Sequence, residues 1–284
     1  MDAKARLARK RSLVERELDR LLSPQDSLLH EAMRYAVLSG GKRFRPLLLL
    51  SAGACFGAEE KMLLPFACGL ELIHSYSLVH DDLPSMDDDD TRRGKPSCHK
   101  AYGEAIALLA GDGLLTLAFE VMASAPVPRP LLPQKEEVIA ETARLAGPSG
   151  MIEGQFLDIS TPAEAWTEGR LQVMILRKTG ALIMASVRAG AVLGSARASA
   201  LEAVTQYGKY LGLAFQIRDD LQDVLAGHAQ AGPQGPNYAA FLDARKAKRT
   251  MKEYIREALR ALERESLWSP DLCYLASLLD RIKD

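Results

Sequence analysis

Two clusters of aspartates, far apart in the chain and each joined to an apolar stretch, most constrain how this sequence can fold. The first holds six aspartates in the ten residues 81–90, directly after an apolar stretch with helical character. In the second, Asp219 and Asp223 are four residues apart, so they share one face of a predicted helix. Like charges at that spacing are unfavourable, and burying them without compensation costs more. The fold must therefore supply cations to these carboxylates.

The first cluster on its own could be a solvated acidic loop. Two features argue against that interpretation. Asp81 and Asp82 emerge at the end of an apolar helix, and the basic run 92–95 follows the cluster immediately. The six-residue spacing would place Asp81 and Asp87 on different faces of a regular helix, so we expect a bulge near Pro84 to align them.

Carboxylates in small number suit Mg²⁺, which keeps several waters and accepts oxygens from a bound phosphate. The sequence contains neither the spacing of a calcium-binding loop nor a glycine-rich phosphate loop. Carboxylates repel a diphosphate directly, and bridging cations reverse the sign of that interaction. The two clusters therefore predict a site in which metal ions hold a diphosphate between them.

Nearly every segment of the chain has the apolar periodicity of a helix, and Ala and Leu dominate the composition. We identify no strand-like alternation, and no linker that would separate two cores. The sequence therefore predicts a single all-helical domain over residues 1–284. The predicted helices are 7–22, 26–38, one from 46, 61–80, 101–122, 135–145, 163–193 with a break near 179–180, 196–225 with a break near 208–212, and 243–265.

The overall charge and the apolar runs limit the possible partners and compartments. The formal net charge of −1 gives no reason to expect nucleic acid or a strongly charged membrane surface as a partner. The longest uncharged apolar run, 46–58, is too short to span a bilayer, and charges throughout the first twenty residues do not match a secretory signal. We expect a cytoplasmic protein without stable membrane insertion. Four scattered cysteines are interpreted as reduced thiols: Cys55, Cys68, Cys98 and Cys273.

Four motifs, in order within about residues 28–224, resemble those of short-chain trans-prenyl diphosphate synthases, most closely the bacterial farnesyl diphosphate synthases. Residues 80–96 resemble the first aspartate-rich motif of that family, and 219–223 the second. Residues 40–46 (GGKRFRP) are similar to its N-terminal basic motif, and 178–180 (KTG) to its central one. The resemblance implies the isoprenoid-synthase fold, an all-α bundle around a deep central cavity, usually as a homodimer.

The resemblance also implies the reaction and a role for each matching residue. The reaction joins isopentenyl diphosphate head to tail with an allylic diphosphate, dimethylallyl or geranyl. Three Mg²⁺ ions would be held by Asp81, Asp82, Asp87, Asp219, Asp220 and Asp223. The allylic diphosphate would contact Arg92, Lys178 and Gln216, and isopentenyl diphosphate would contact Lys42, Arg45, His74 and Arg93. Thr179 would stabilise the carbocation together with Gln155, and the catalytic set would be Asp81, Asp82, Asp87, Lys178, Thr179, Asp219 and Asp220.

Product length is expected to depend on Tyr76 and Ser77, which precede Asp81 by about one helical turn. A tyrosine at that depth would block elongation. Together with the two-residue insertion before Asp87, it resembles the pattern of bacterial enzymes with a fifteen-carbon product. Ten-carbon (geranyl) and twenty-carbon (geranylgeranyl) products remain alternatives, because other helices also line the cavity.

One region departs from the family pattern. The loop 225–236 is short, and residues 235–238 (GPNY) stand where a Lys-x-Thr-Tyr segment is expected, so the lysine is missing. Our hypothesis is intact substrate binding with altered turnover or product range.

Three other classes of protein remain open. A terpene cyclase would share the fold, but it has no use for a second diphosphate site at Lys42, Arg45 and Arg93. A non-catalytic subunit of a heteromeric prenyltransferase would be expected to lose aspartate motifs, and both are complete here. A simple metal- or phosphate-binding helical protein would explain the aspartates but not the ordered basic motifs.

Overall fold

The computed structural model describes residues 2–227 and 237–281. The predicted all-α class is confirmed: helices form almost the whole of the described chain. The longer helices are α1 (Ala3–Leu21), α2 (Leu28–Leu38), α3 (Phe44–Cys55), α4 (Glu60–Asp81), α6 (Glu104–Ser124), α7 (Leu132–Ala146), α8 (Met151–Ser160), α10 (Ala181–Leu193), α11 (Ala198–Leu225) and α13 (Ala244–Arg264). The shorter ones are α5 (Cys98–Tyr102), α9 (Glu168–Ile175), α12 (Tyr238–Leu242) and α14 (Pro270–Ser277).

Apolar composition decides which helices lie inside the bundle. Helices α3, α4 and α10 are buried over most of their length, and amphipathic helices pack around them. Helix α4 packs between α3 and α6, while α11 packs between α10 and α13. The two aspartate clusters therefore lie at the C-terminal ends of two largely buried helices of the bundle.

Several predicted boundaries were wrong. The predicted helix 163–193 contains α9, a π-helical segment (Leu176–Gly180) and α10, and helix α8 had been missed. Gly103, with φ +86°, separates α5 from α6 where one helix had been predicted. Helices α12 and α14 were also missed. A hairpin of two-residue strands, β1 (Thr91–Arg92) and β2 (Lys95–Pro96), is too short to show a sequence period.

The break predicted within α11 at 208–212 is absent, and the helix runs through both glycines. A Cβ added at Gly212 would lie 2.6 Å from the Cα of Gly180, and one at Gly208 would lie 2.8 Å from Val187. These glycines therefore serve close packing against the π-helical segment and α10. They do not interrupt the helix.

Helices α4 and α6 are long and apolar enough to cross a membrane by length and composition alone. In α4, 67% of the apolar window is buried within the bundle, as expected for a core helix. In α6 only 39% is buried, so this helix carries an apolar face that the rest of the described chain leaves uncovered.

Candidate active site

A cavity of about 1270 Å³ opens between the C-terminal ends of α4 and α11, the helix α8, the π-helical segment and the loop before α3. Most of the residues predicted from the sequence line it. They are Lys42, Arg45, His74, Tyr76, Ser77, Asp81, Asp87, Arg92, Arg93, Gln155, Lys178, Thr179, Gln216, Asp219 and Asp223. Asp82 and Asp220 do not line it. Segments far apart in the sequence thus bring both aspartate clusters and all four motifs to one cavity.

The first aspartate cluster begins where α4 ends. Asp81 is the last residue of the helix, and the Asp87 N–H donates to the Asp81 carbonyl oxygen at 2.8 Å. The intervening turn contains Pro84, so the chain reverses after the helix and needs no bulge within it. Both carboxylates reach the cavity as a result.

Asp82 faces away from the cavity and binds a cation of the site. It is almost fully buried, and its carboxylate accepts hydrogen bonds from the Arg92 guanidinium, including one from Nε at 2.9 Å. Arg92 also donates to Asp89 at 2.9 Å. Asp82 therefore positions Arg92 in the cavity wall, and Asp89, which was not predicted, lines the cavity beside it.

In the second cluster, too, some carboxylates face the cavity and one makes hydrogen bonds behind its wall. Asp219 and Asp223 line the cavity, whereas the Asp220 carboxylate accepts from the Gln216 amide at 2.9 Å and from the Tyr238 backbone N–H at 2.7 Å. The Thr179 hydroxyl donates to the Gln216 carbonyl oxygen at 2.7 Å. Asp220 thus orients the Gln216 amide through a continuous chain of hydrogen bonds.

Burial raises the pKa of several carboxylates in the two clusters. The pKa of Asp81 is raised to about 7 and that of Asp220 to about 6, and those of Asp87 and Asp219 are also raised. Crowded carboxylates held away from water favour the approach of a cation. The cavity-facing aspartates of both clusters offer carboxylate oxygens as metal ligands, which fits Mg²⁺.

Lys178 is the main protein cation beside the first cluster. Its Nζ lies 2.5 Å from Oδ2 of Asp158, a residue of α8. Burial alone would lower the pKa of Lys178, but Asp158, with Asp81 and Asp87, raises it. Asp158 was not predicted, although a carboxylate three residues after Gln155 on a mostly apolar helix was a signal that could have found it.

A second group of basic side chains lies on the loop before α3, in the first turn of α3 and on α4, and the charges of Lys42 and Arg45 act on Asp219. Burial lowers the pKa of Arg45 to about 10, and its Nε has no hydrogen-bond partner among the described residues. Burial, followed by the charges of Arg45 and Arg93, holds the pKa of His74 well below its ordinary value. His74 therefore presents a neutral ring to the cavity, beside the guanidinium groups of Arg45 and Arg93.

The loop itself is held by two contacts that sequence reasoning missed. Arg43, in the left-handed conformation at φ +52°, forms a buried ion pair with Glu71 of α4 at 2.8 Å. Arg93 donates to the Gly40 carbonyl oxygen and lies over Gly41, where an added Cβ would be 2.8 Å from its guanidinium. The glycine pair thus allows Arg93 to approach the backbone closely. Glu71, alone among apolar neighbours on α4, was a signal in the sequence.

The deep end of the cavity is apolar. Tyr76 of α4 packs edge-to-face on His80, with ring centroids 5.6 Å apart, and Leu115 of α6 lines the same region. Helix α8 contributes Phe156 and Ile159, both more than half exposed. Exposed apolar side chains facing a cavity can contact an apolar ligand.

A separate acidic group lies outside the cavity. Asp88 and Asp90 have carboxylate oxygens within 4.8 Å of a ring nitrogen of buried His99. Asp90 is paired with Lys100 at 2.8 Å, and the His99 Nδ1 is hydrogen-bonded to Ser97. Because Asp90 and His99 already have partners within the protein, we interpret this group as a structural cluster at the base of the hairpin and not as a metal site.

The segment 228–236 lies outside the described residues, so most of the shortened loop, including Gly235 and Pro236, is not placed. Asn237 and Tyr238 are described. The Asn237 amide donates to the Asp220 carbonyl oxygen at 3.0 Å, and Tyr238 follows it at the start of α12. Asn237 and Tyr238, which end the segment that lacks the expected lysine, are therefore hydrogen-bonded to Asp220 of the second aspartate cluster.

Comparison with known proteins places this arrangement among related chains. A model of the polyprenyl synthetase family matches residues 26–251. The farnesyl diphosphate synthase of Geobacillus stearothermophilus is 40% identical over 274 residues, covering 94% of this chain and 92% of the relative. That of Escherichia coli (strain K12) is 39% identical over 277 residues, covering 93% of each. The apo crystal structure of an FPP/GFPP synthase from Zymomonas mobilis superposes with a TM-score of 0.87 at 32% identity, covering 99% of this chain and 98% of that one.

Proposed function

The chain belongs to the polyprenyl synthetase family, and from this premise we propose that it makes farnesyl diphosphate, a prenyltransferase reaction. It joins isopentenyl diphosphate head to tail with dimethylallyl or geranyl diphosphate and releases diphosphate. One observation carries the proposal: a single cavity has carboxylates on two facing helix ends, two separate groups of cations, and an apolar deep end. Such a cavity has room for two diphosphates and one growing prenyl chain.

The allylic diphosphate is assigned to the rim between the two aspartate clusters. Asp81, Asp87, Asp219 and Asp223 would hold magnesium ions, with Asp82 and Asp220 acting behind them through Arg92 and Gln216. Bound magnesium would supply Lewis-acid stabilisation of the charge that develops on the leaving diphosphate. Lys178 and Arg92 would donate hydrogen bonds to that same group from fixed positions.

Isopentenyl diphosphate is assigned to the second group of basic side chains. Arg45 supports this assignment because its buried guanidinium has an unused donor, and a bound diphosphate would offset the cost of its burial. Lys42 and Arg93 would add further charge-assisted hydrogen bonds, and neutral His74 would donate one N–H.

The chemistry needs no protein nucleophile. The allylic C–O bond breaks, and its electron pair leaves with the diphosphate. The double bond of isopentenyl diphosphate then attacks the allylic cation, and the released diphosphate takes the proton lost as the new double bond forms. The side-chain oxygen and nitrogen of Gln155 are buried at the cavity wall without partners among the described residues. Its carbonyl dipole is therefore available to stabilise the cation beside Thr179.

The length of the product is assigned to the apolar end. Tyr76 and Ser77 lie one turn deeper on α4 than Asp81, and the buried tyrosine ring closes the direction in which a prenyl chain would grow. The similar protein from Zymomonas mobilis is an FPP/GFPP synthase, so this assignment needs its own test.

We further propose that the protein acts as a cytoplasmic homodimer. The uncovered apolar face of α6, with Leu108 and Leu109 about half exposed, supports this. Burying that face against a second copy would remove apolar surface from water over several helical turns.

The test is to incubate the purified protein with Mg²⁺, isopentenyl diphosphate and either allylic primer, and to identify products by mass. We expect a fifteen-carbon diphosphate, and none after chelation of the metal. An Asp219→Asn variant is the matched control. A hydrocarbon product would indicate a cyclase, and no condensation by folded protein would favour the non-catalytic subunit.

A further inference from the structure

A basic groove lies on α13, outside the active-site cavity. It has a volume of about 500 Å³, and it is lined by Arg245, Lys248, Arg249, Lys252, Ile255, Arg256 and Asp280. The near-zero net charge of the whole chain conceals this local excess of positive charge. None of these side chains belongs to the four motifs or to the site described above.

The periodicity of α13 creates the groove. Each of the five cations lies three or four residues from another of them, so they form a stripe along one side of the helix. The opposite side is buried and includes Ala247, Met251 and Ala258. From Arg245 to Arg256 the stripe extends over roughly 16 Å at 1.5 Å per residue.

The positive charge of the stripe is largely uncompensated. Lys252 lies 3.4 Å from Asp280, with both side chains about half exposed. Within residues 2–227 and 237–281, the other four cations of the stripe have no carboxylate within 4.0 Å. Two other basic side chains of α13 do have partners: Lys246 pairs with Glu168, and Arg260 with Glu257.

We propose that this basic groove docks the protein on membrane surfaces rich in anionic phospholipid head groups. The cations are spread along the helix and exposed, and do not converge on one point as the donors of a single-anion site would. An extended stripe matches a surface of many phosphates, and each cation near such a surface contributes independently. Helix α13 keeps its apolar side in the core, so the contact is peripheral, without insertion.

The inference does not depend on the proposed reaction. A peripheral contact would nevertheless suit an enzyme whose product joins a diphosphate to a long apolar chain, because such a product partitions into lipid.

Sedimentation with vesicles tests the inference. The full-length protein is mixed with phosphatidylcholine vesicles, and with vesicles rich in phosphatidylglycerol. The variant Lys248→Gln/Arg249→Gln/Lys252→Gln removes three charges of the stripe. We expect wild-type protein to bind only the anionic vesicles, and the variant to lose on the order of 100-fold in partitioning, about fivefold per charge.

A control with the same net charge carries Arg197→Gln, Arg260→Gln and Arg264→Gln, outside the groove. It should keep binding within a few-fold of wild type, and all three proteins should turn over dissolved substrates equally. Equal loss in both triple variants would overturn the proposal, because it would indicate a general charge effect. Inorganic diphosphate at millimolar concentration should not displace the protein from the vesicles. Displacement would identify a soluble-anion site, and tighter binding to RNA than to vesicles would identify a nucleic-acid surface.

Discussion

The ammonium group of Lys178 lies 2.5 Å from the Asp158 carboxylate, which belongs to neither aspartate motif. The pair joins the π-helical segment to α8, and both side chains are largely buried. Without Asp158, the flexible lysine stem would let the ammonium move among several carboxylates of the cavity. Asp158 therefore fixes the cation that we assign to the leaving diphosphate.

Replacing Asp158 by Asn should reduce turnover without removing the hydrogen-bond acceptor. A charge-assisted hydrogen bond contributes about 1.5–3 kcal/mol, so we expect kcat to fall by roughly tenfold or more. The KM for isopentenyl diphosphate should stay within about twofold, since its assigned site is formed by other side chains, which do not contact the Lys178–Asp158 pair. Steady-state kinetics with each substrate varied in turn measures both effects.

The matched control is Glu153→Gln. Glu153 pairs with Arg177 at 3.1 Å between the same two elements, but on the exposed side. Exposed pairs contribute little, so this variant should keep wild-type kinetics. If both variants lost activity equally, the role of Asp158 would be packing of α8. It would then have no part in positioning Lys178.

Enlarging the deep end of the cavity at Tyr76 should lengthen the product. Tyr76→Ala removes the ring that closes the apolar end, and we expect twenty-carbon diphosphate to become the main product by mass spectrometry. Tyr76→Phe keeps the ring and should keep the fifteen-carbon product. An unchanged product from the alanine variant would place the limit on another helix.

Phe156 offers an independent test of which wall limits the chain. It stands on α8, more than half exposed and facing the same cavity. If α4 alone sets the limit, Phe156→Ala should alter the KM for geranyl diphosphate by a few-fold and leave product length unchanged. A longer product from this single change would contradict the assignment to Tyr76 and Ser77.

The sequence predicted most cavity residues because each motif lies at a helix end or in a short loop, where local spacing determines exposure. It could not separate ligands from supporting residues within a consecutive pair. Adjacent residues on a helix point about 100° apart, and in this structure Asp81 and Asp219 line the cavity whereas Asp82 and Asp220 do not. The structure shows which member of each pair lies behind the wall and what it holds.

Asp158 and Glu71 illustrate the other limit of sequence reasoning. Each is a carboxylate between apolar neighbours on its helix, and its partner is a cation from a distant part of the chain. Side-chain periodicity predicts the face of a residue, but it does not predict which element packs against that face. The glycines of α11 were misjudged for the same reason, since their role is to admit the π-helical segment.

His74 should make the free protein less stable in mild acid. Its pKa is held well below the ordinary value of about 6.5 by burial and by neighbouring arginines, so only the unfolded chain takes up its proton near pH 6. Stability then falls as the pH falls below about 6.5. Between about pH 7.5 and 5.5, wild type should lose about 1 kcal/mol more unfolding free energy than His74→Gln, measured by urea denaturation. Equal losses of unfolding free energy in wild type and in His74→Gln would indicate that His74 is protonated when folded.

A buried ion cluster between α1 and α14 should be important for stability but not for catalysis. Asp271 binds the buried Lys10 ammonium at 2.9 Å and Arg6 at 2.6 Å, and no residue of α1 or α14 lines the active-site cavity. Burial alone would raise the pKa of Asp271, but its bonds to Arg6 and Lys10 hold that pKa below the ordinary value. The stability that Asp271 contributes is therefore present above about pH 4, and it is lost as the pH falls through the lower pKa that Asp271 has in the folded protein.

Asp271→Ala leaves the Lys10 ammonium buried without a carboxylate, which should cost about 3 kcal/mol of unfolding free energy. For a chain of this size, that corresponds to a fall in melting temperature of roughly 5 °C, measured by calorimetry at neutral pH. The control Glu265→Gln removes the partner of the exposed Arg197 and should cost less than about 1 kcal/mol. Turnover at 25 °C should be unchanged in both variants. A melting temperature for Asp271→Ala within a degree of wild type would mean that water or a neighbouring carbonyl satisfies Lys10, and that the ion pair contributes no net stability.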